Sequence, residues 1–90
     1  MDGIRDVLFI KYRFRSPGLK ARILVFDPRG RLVREIASRQ LLGTKGFFIW
    51  DGTDRQGSKA GTGMYMVLAE IYGEGKKQVF RKTCVLSRGR

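Results

Sequence analysis

Histidine is absent from this chain, and that gap excludes more chemistry than any other in the composition. Without imidazole there is no Ser-His-Asp triad, no His general acid or base and no His metal ligand. Cysteine occurs once, at Cys84, so no internal disulfide can form; lying in an apolar strand, it reads as a small buried hydrophobe. Acidic residues number only eight against nineteen Lys and Arg, leaving a formal charge of +11 on 90 residues. No apolar run approaches the roughly 18 residues of a membrane span. Met1-Asp2-Gly3 leads straight into a charged segment, so no signal peptide is expected. The chain therefore reads either as cytoplasmic or as a piece of a longer secreted protein.

What is present is a sequence of strand formers. A hydrophobic fraction of 42%, with Val, Ile and aromatic residues in short runs, argues for one globular domain and against disorder. The organising stretch runs from Phe47 to Tyr65: an aromatic strand stops at Asp51-Gly52, a polar loop follows with glycines at 57, 61 and 63, and a second strand resumes at Met64-Tyr65. Asp-Gly favours a turn because Gly accepts positive φ and Asp bonds its own backbone. Trp50 and Tyr65, on either side, are the expected core anchors, provided their N–H and O–H find partners.

Alternation marks further strands. Leu8, Ile10, Tyr12 and Phe14 form one set in residues 7–14, opposite Lys11 and Arg13. Ala21, Ile23 and Val25 alternate with Lys20 and Arg22, and Asp27-Pro28-Arg29-Gly30 then has the residues of a tight hairpin turn. The return strand spans 31–36. Residues 37–45 are irregular, and Leu41-Leu42-Gly43 reads as a helical turn or as a loop plugging one end of the core. Residues 47–50, 64–72 and 79–86 complete the set, with a turn at 73–76; Arg81-Lys82 signals a bulge or an edge position. Six short strands without a helix predict an all-β, immunoglobulin-like antiparallel sandwich of about six to seven strands. The boundaries are a lead-in over 1–6, the sandwich over 7–87 and a frayed tail over 88–90. The expected inward set is Leu8, Ile10, Tyr12, Ile23, Val25, Leu32, Phe48, Trp50, Tyr65, Val67 and Ile71.

Few residues point to chemistry. Asp51, Thr53, Asp54 and Gln56 are oxygen donors at short spacing, but the twelfth position from Asp51 is Thr62, which supplies no EF-hand carboxylate. Asp2 and Asp6, as D-G-x-x-D, are better calcium candidates. The glycines lack the phosphate-loop order, and no substrate cleft accompanies Asp51 and Asp54 as a hydrolytic carboxylate pair. A non-enzymatic module without a cofactor is expected. Lys11, Arg13, Lys20, Arg22, Arg29, Arg31 and Arg34 would form one positive face if the first two strands are neighbours. That face is either a solvated surface guarding against edge pairing or a contact for anionic surface polysaccharide. A nucleic-acid reading wants stacking rings on the same face; Phe9 and Phe26 would serve, but no RNP-like motif appears, so it ranks lower. Phe47 and Ile49 point opposite to Phe48 and Trp50, either under the Leu41-Leu42 loop or outward as a docking patch.

The order I-L-V-F-D-P-R-G-R-L-V (23–33), W-D-G-T-D-R-Q-G (50–57) and G-M-Y (63–65) resembles the immunoglobulin-like domain of the flagellar hook-capping protein (FlgD-like). It resembles equally the carboxy-terminal modules of secreted Bacteroidetes proteins, which share the pattern I-x-D-x-x-G-R-L-V, W-D-G-x-D-x-x-G, G-x-Y. The motif residues are Asp27, Gly30, Trp50, Asp51, Gly52, Asp54, Gly57, Gly63 and Tyr65, and the match covers roughly 7–87. Within that group, modules of surface proteins with lamin-tail-like domains begin S-P-D-N-D-G-x-x-D-V-L, and residues 2–8 fit the end of that phrase. The resemblance implies a monomeric address and spacer: a module for type IX secretion sorting and cell-surface attachment, working with protein secretion machinery. The rival expectations are an assembly module like the hook-cap domain and a basic nucleic-acid-binding domain.

Overall fold

The computed structural model describes residues 8–86. The expected lead-in, the tail and the calcium candidates Asp2 and Asp6 lie outside the described residues. Six strands follow one another: β1 (Leu8–Arg13), β2 (Lys20–Phe26), β3 (Leu32–Leu41), β4 (Lys45–Trp50), β5 (Gly63–Gly73) and β6 (Lys76–Leu86). They form two antiparallel sheets, a pair β1-β4 and a four-stranded sheet in the order β3-β2-β5-β6. This is the small immunoglobulin-like sandwich that the alternating pattern predicts.

The core follows from side-chain parity. Ala21, Ile23 and Val25 on β2 meet Val67 and Ile71 on β5, and Phe48 and Trp50 of β4 close over them, all buried. Leu8, Ile10 and Tyr12 are half-buried against this cluster, as are Val33 and Ile36. Leu32, expected inward, is half-buried and lies outside the cluster; Ala37, Leu42 and Leu86 join it instead. Cys84 is half-buried against the core rather than fully enclosed, and burial raises its thiol pKa.

Both anchor rings satisfy their polar atoms. The Trp50 Nε1–H donates to the Thr53 carbonyl at 2.9 Å, and the Tyr65 hydroxyl donates to the Gly61 carbonyl at 2.6 Å. Their rings meet edge to face with centroids 5.2 Å apart, an arrangement that adds specificity beyond area burial.

The irregular stretch after Ile36 is neither a helical turn nor a free loop up to its end, because β3 continues to Leu41. Its register against β2 shifts in three places, and each time β3 supplies the extra residue. Bulges of this kind break period-two alternation, which is why the pattern is unreadable there. Arg39 takes up the strain at φ 57°. Leu42 then plugs the core end, 2% exposed, its amide bonded to the Leu19 carbonyl and its carbonyl to the Gly18 amide.

The β5–β6 hairpin has two loop residues, Glu74 and Gly75, both with positive φ (54° and 74°), as a type I′ turn requires. Glu at the first position is costly, since Asn enters the left-handed region more readily. Glu74→Asn is expected to stabilise the chain by about 0.5–1 kcal/mol, read as a rise in urea midpoint. β6 begins at Lys76, three residues before the apolar run that marked it in sequence, and pairs with β5 without a register shift. Arg81-Lys82 therefore marks a sheet edge, not a bulge.

Candidate functional site

Two turns at one end of the sandwich use the same device. In Asp27-Pro28-Arg29-Gly30-Arg31, the Asp27 Oδ1 accepts from the amides of Arg29 and Arg31, each at 2.9 Å, and the Gly30 amide returns to the Asp27 carbonyl. In Asp54-Arg55-Gln56-Gly57-Ser58, the Asp54 Oδ1 accepts from the amides of Gln56 and Ser58, and the Gly57 amide returns to the Asp54 carbonyl. Gly30 and Gly57 have φ of 83° and 86°, a backbone that a side chain would strain. The spacing D-x-x-G is the visible signal of both turns.

Arg34 locks the second turn to the sheet. Its Nη1 donates to Thr53 Oγ1 at 2.6 Å and to the Asp54 carbonyl at 3.1 Å. The Thr53 hydroxyl donates in turn to Asp51 Oδ1, which also accepts the Thr53 amide. Asp51 and Asp54 are thus engaged in holding the loop closed, and neither is arranged as a hydrolytic pair. Among the described residues no three His, Cys, Asp or Glu side chains gather as a metal-holding group.

These bonds set the acid side of the stability profile. The Arg31 amide, with the Arg31 side chain and the Arg29 amide, holds the Asp27 carboxyl below its ordinary value of 3.8. The Thr53 hydroxyl, with its amide and the Arg34 charge, does the same for Asp51. A depressed folded-state pKa contributes stability that is complete above the unfolded value and is lost as pH falls through the folded one. The urea midpoint is therefore expected to fall as pH drops below 3.8. Asp27→Asn and Asp51→Asn together should flatten that fall.

The seven cations expected on one face are divided by the topology. β1 and β2 are not neighbours but lie in opposite sheets, so Lys11 and Arg13 share no face with Lys20 and Arg22. Several of the others have partners: Arg22 lies 3.4 Å from Glu35, Arg31 lies 3.0 Å from Asp27, and Arg34 holds the loop. Arg29 is exposed in the first turn.

A different cationic face is present on the β1-β4 sheet. Register places Phe9 opposite Ile49, Lys11 opposite Phe47 and Arg13 opposite Lys45, and all six are exposed. Phe9 and Phe47 lie with ring centroids 5.6 Å apart. Neither strand carries an Asp or Glu, and among the described residues these three cations have no ion-pair partner. Phe47 and Ile49 are the outward patch, not covered by Leu42. Lys45 was hidden in the sequence by its place at the end of the irregular stretch, although Lys45, Phe47 and Ile49 do alternate.

Behind this face the sandwich is open along one side. Residues of β1 line this opening together with Ala69 and Ile71 of β5 and Phe80 of β6, which puts β1 on the side of β5 and β6. A cleft of about 230 Å³ lies between them, floored by Ile23, Ala69 and Ile71 and walled by Ile10, Phe48 and Phe80. Phe80 faces inward, in register with Ala69, yet is 53% exposed.

No protein-family model matches the chain, and no curated protein matches it either. Among solved structures, FlgD from P. aeruginosa is similar with a TM-score of 0.66 at 24% identity, over 92% of this chain and 63% of that one. This chain thus spans less than two thirds of that structure, and the likeness is one of fold: a FlgD-like immunoglobulin-type sandwich.

Proposed function

We propose that the chain is a non-catalytic module of a secreted protein, acting in type IX secretion sorting and in attachment at the cell surface. The observation that carries this reading is the pairing of a FlgD-like sandwich with a β1-β4 face whose cations, among the described residues, have no ion-pair partner and stand beside exposed aromatic rings. The motif order from Asp27 to Tyr65 supports the same family of modules, since its Asp, Gly, Trp and Tyr residues form the turns and anchors that hold this sandwich together. The module works as a monomer without a cofactor. Its partners are secretion or surface proteins and, through the cationic face, anionic surface polysaccharide.

The test is localisation. Residues 1–90 are fused behind a signal peptide and a fluorescent reporter in a Bacteroidetes host with and without its type IX apparatus. Display or release that needs the apparatus is the expected result; periplasmic retention in both hosts refutes the sorting role.

A second reading is favoured by the fold likeness to FlgD, namely a spacer or assembly module like the hook-cap domain. It predicts retention in the same assay together with an undiminished ability to bind a protein partner. A third is favoured by Phe9 and Phe47 beside Lys11 on a sheet surface, the arrangement on which single-stranded nucleic acid stacks. It predicts binding of oligonucleotides that weakens steeply with salt, and its absence at low salt removes that reading.

A further inference from the structure

The open side of the sandwich has the form of a sheet with a strand missing. In the four-stranded sheet, β6 extends past the cover that the two-stranded sheet supplies, so the inward-facing Gln78, Phe80 and Lys82 are exposed while Leu86, at the covered end, is buried. Among the described residues β1 pairs with β4 alone. Within that set its other edge therefore presents unpaired backbone groups along six residues, beside an apolar cleft. A strand added at this edge would project alternate side chains inward and outward. Inward ones would enter the cleft over Phe80 and Ile71, and outward ones would lie beside Lys11 and Arg13.

We propose that β1 is a docking edge for an extended segment of a partner protein in which apolar and acidic residues alternate. Charge chooses this occupant. The sheet being extended holds no carboxylate, and Lys11 and Arg13 would stand directly beside the outward residues of the new strand. Opposite charges across such a pair are favourable and like charges are not. The same lysine and arginine that admit an acidic strand repel a second copy of this chain, whose net charge is +11 and whose own free edge on β6 carries Lys76, Lys77, Arg81 and Lys82. Backbone pairing would supply affinity, and the apolar and acidic alternation specificity, as in other strand-addition complexes. This inference names a partner class for the binding module proposed above. Its test uses the purified chain, so its failure and failure in the secretion assay are separable.

The experiment titrates the full chain with short synthetic peptides and follows backbone amide and aromatic ring signals by NMR. One peptide alternates Val or Phe with Glu, a second has the same composition with the alternation scrambled, and a third alternates with Lys in place of Glu. The alternating acidic peptide is expected to shift the amides of residues 8–13 and the Phe80 ring. Scrambling is expected to weaken binding at least ~tenfold, and the Lys peptide is expected not to bind. Lys11→Glu with Arg13→Glu, and separately Phe80→Ser, are each expected to weaken the acidic peptide by ~tenfold or more. All three side chains are exposed, so unchanged amide exchange in β2 and β5 verifies that the variants are folded. Equal binding of the scrambled peptide reduces the effect to net charge and overturns the proposal. So do shifts confined to β6, the absence of any shift, and displacement of the peptide by phosphatidylglycerol vesicles, which would make the face a membrane contact.

Discussion

Trp50→Ala is expected to destabilise the chain by about 3–5 kcal/mol, the range for removing a large buried aromatic. Domains of this size have about 5–15 kcal/mol in total, so the variant should lose a large part of its stability and its urea midpoint should fall steeply. Three separate losses coincide at this residue. Trp50 is only 2% exposed and is the largest fully buried side chain. Its ring supplies the edge-to-face contact with Tyr65, which itself caps the Gly61 carbonyl. Its Nε1–H also ties the Thr53 carbonyl, and so the following loop, to the core. Trp50→Phe separates these contributions, because it keeps much of the packing and removes the donor; a loss of about 1–3 kcal/mol is expected from the hydrogen bond and the reduced volume. Urea melts followed by far-ultraviolet circular dichroism measure both. A Trp50→Ala variant that unfolds within 1 kcal/mol of the parent would show that the core is centred elsewhere.

Why Trp50 was legible and other features were not comes down to the range of the interactions involved. Alternation and turn chemistry are local, so the hairpin at Asp27–Gly30, the anchors on either side of the Asp51-Gly52 turn and most of the inward set can be read from neighbours in sequence. β3 defeats that reading because three extra residues shift its register against β2, and a bulge is decided by the partner strand. Strand pairing across the sandwich is equally non-local. Lys11 and Lys20 sit at similar outward positions of consecutive strands, yet the fold assigns β1 to β4 and β2 to β3 and β5. A positive face assembled from consecutive strands therefore does not form, while one assembled from β1 and β4 does.

The placement of the few acids sharpens the same point. Asp27, Asp51 and Asp54 are engaged in turns, and Glu35 and Glu70 neutralise Arg22 and Lys77 on the outer face of the four-stranded sheet. Among the described residues nothing comparable is placed on the β1-β4 sheet. Net charge alone says that the chain favours anionic partners; the topology says which surface retains that preference after the internal pairs are formed.

Arg34 illustrates how a cation that looks like part of a binding face can instead hold the fold, and its replacement gives the second large expected effect. Arg34→Met keeps an unbranched apolar stem but removes the bonds from Nη1 to Thr53 Oγ1 and to the Asp54 carbonyl. Hydrogen bonds with a charged donor contribute about 1.5–3 kcal/mol, so a loss of about 2–3 kcal/mol is expected in urea. The local consequence should exceed the global one, because this guanidinium bonds directly to Thr53 and Asp54 and, with the Trp50 indole, helps tie the loop from Asp51 to Ala60 to the sheet. Arg55 and Lys59 lie in that loop, exposed, and provide a direct assay: trypsin should cleave there markedly faster in Arg34→Met, under conditions in which the parent resists. Arg34→Lys should restore little, since a single ammonium does not reproduce the planar fork. The fall in stability below the ordinary Asp value should also become shallower, because the Arg34 charge and the Thr53 hydroxyl it orients both act on Asp51. If Arg34→Met keeps the protease resistance of the parent, the Asp54 turn supports itself, and Arg34 returns to the pool of cations free to meet an anionic partner.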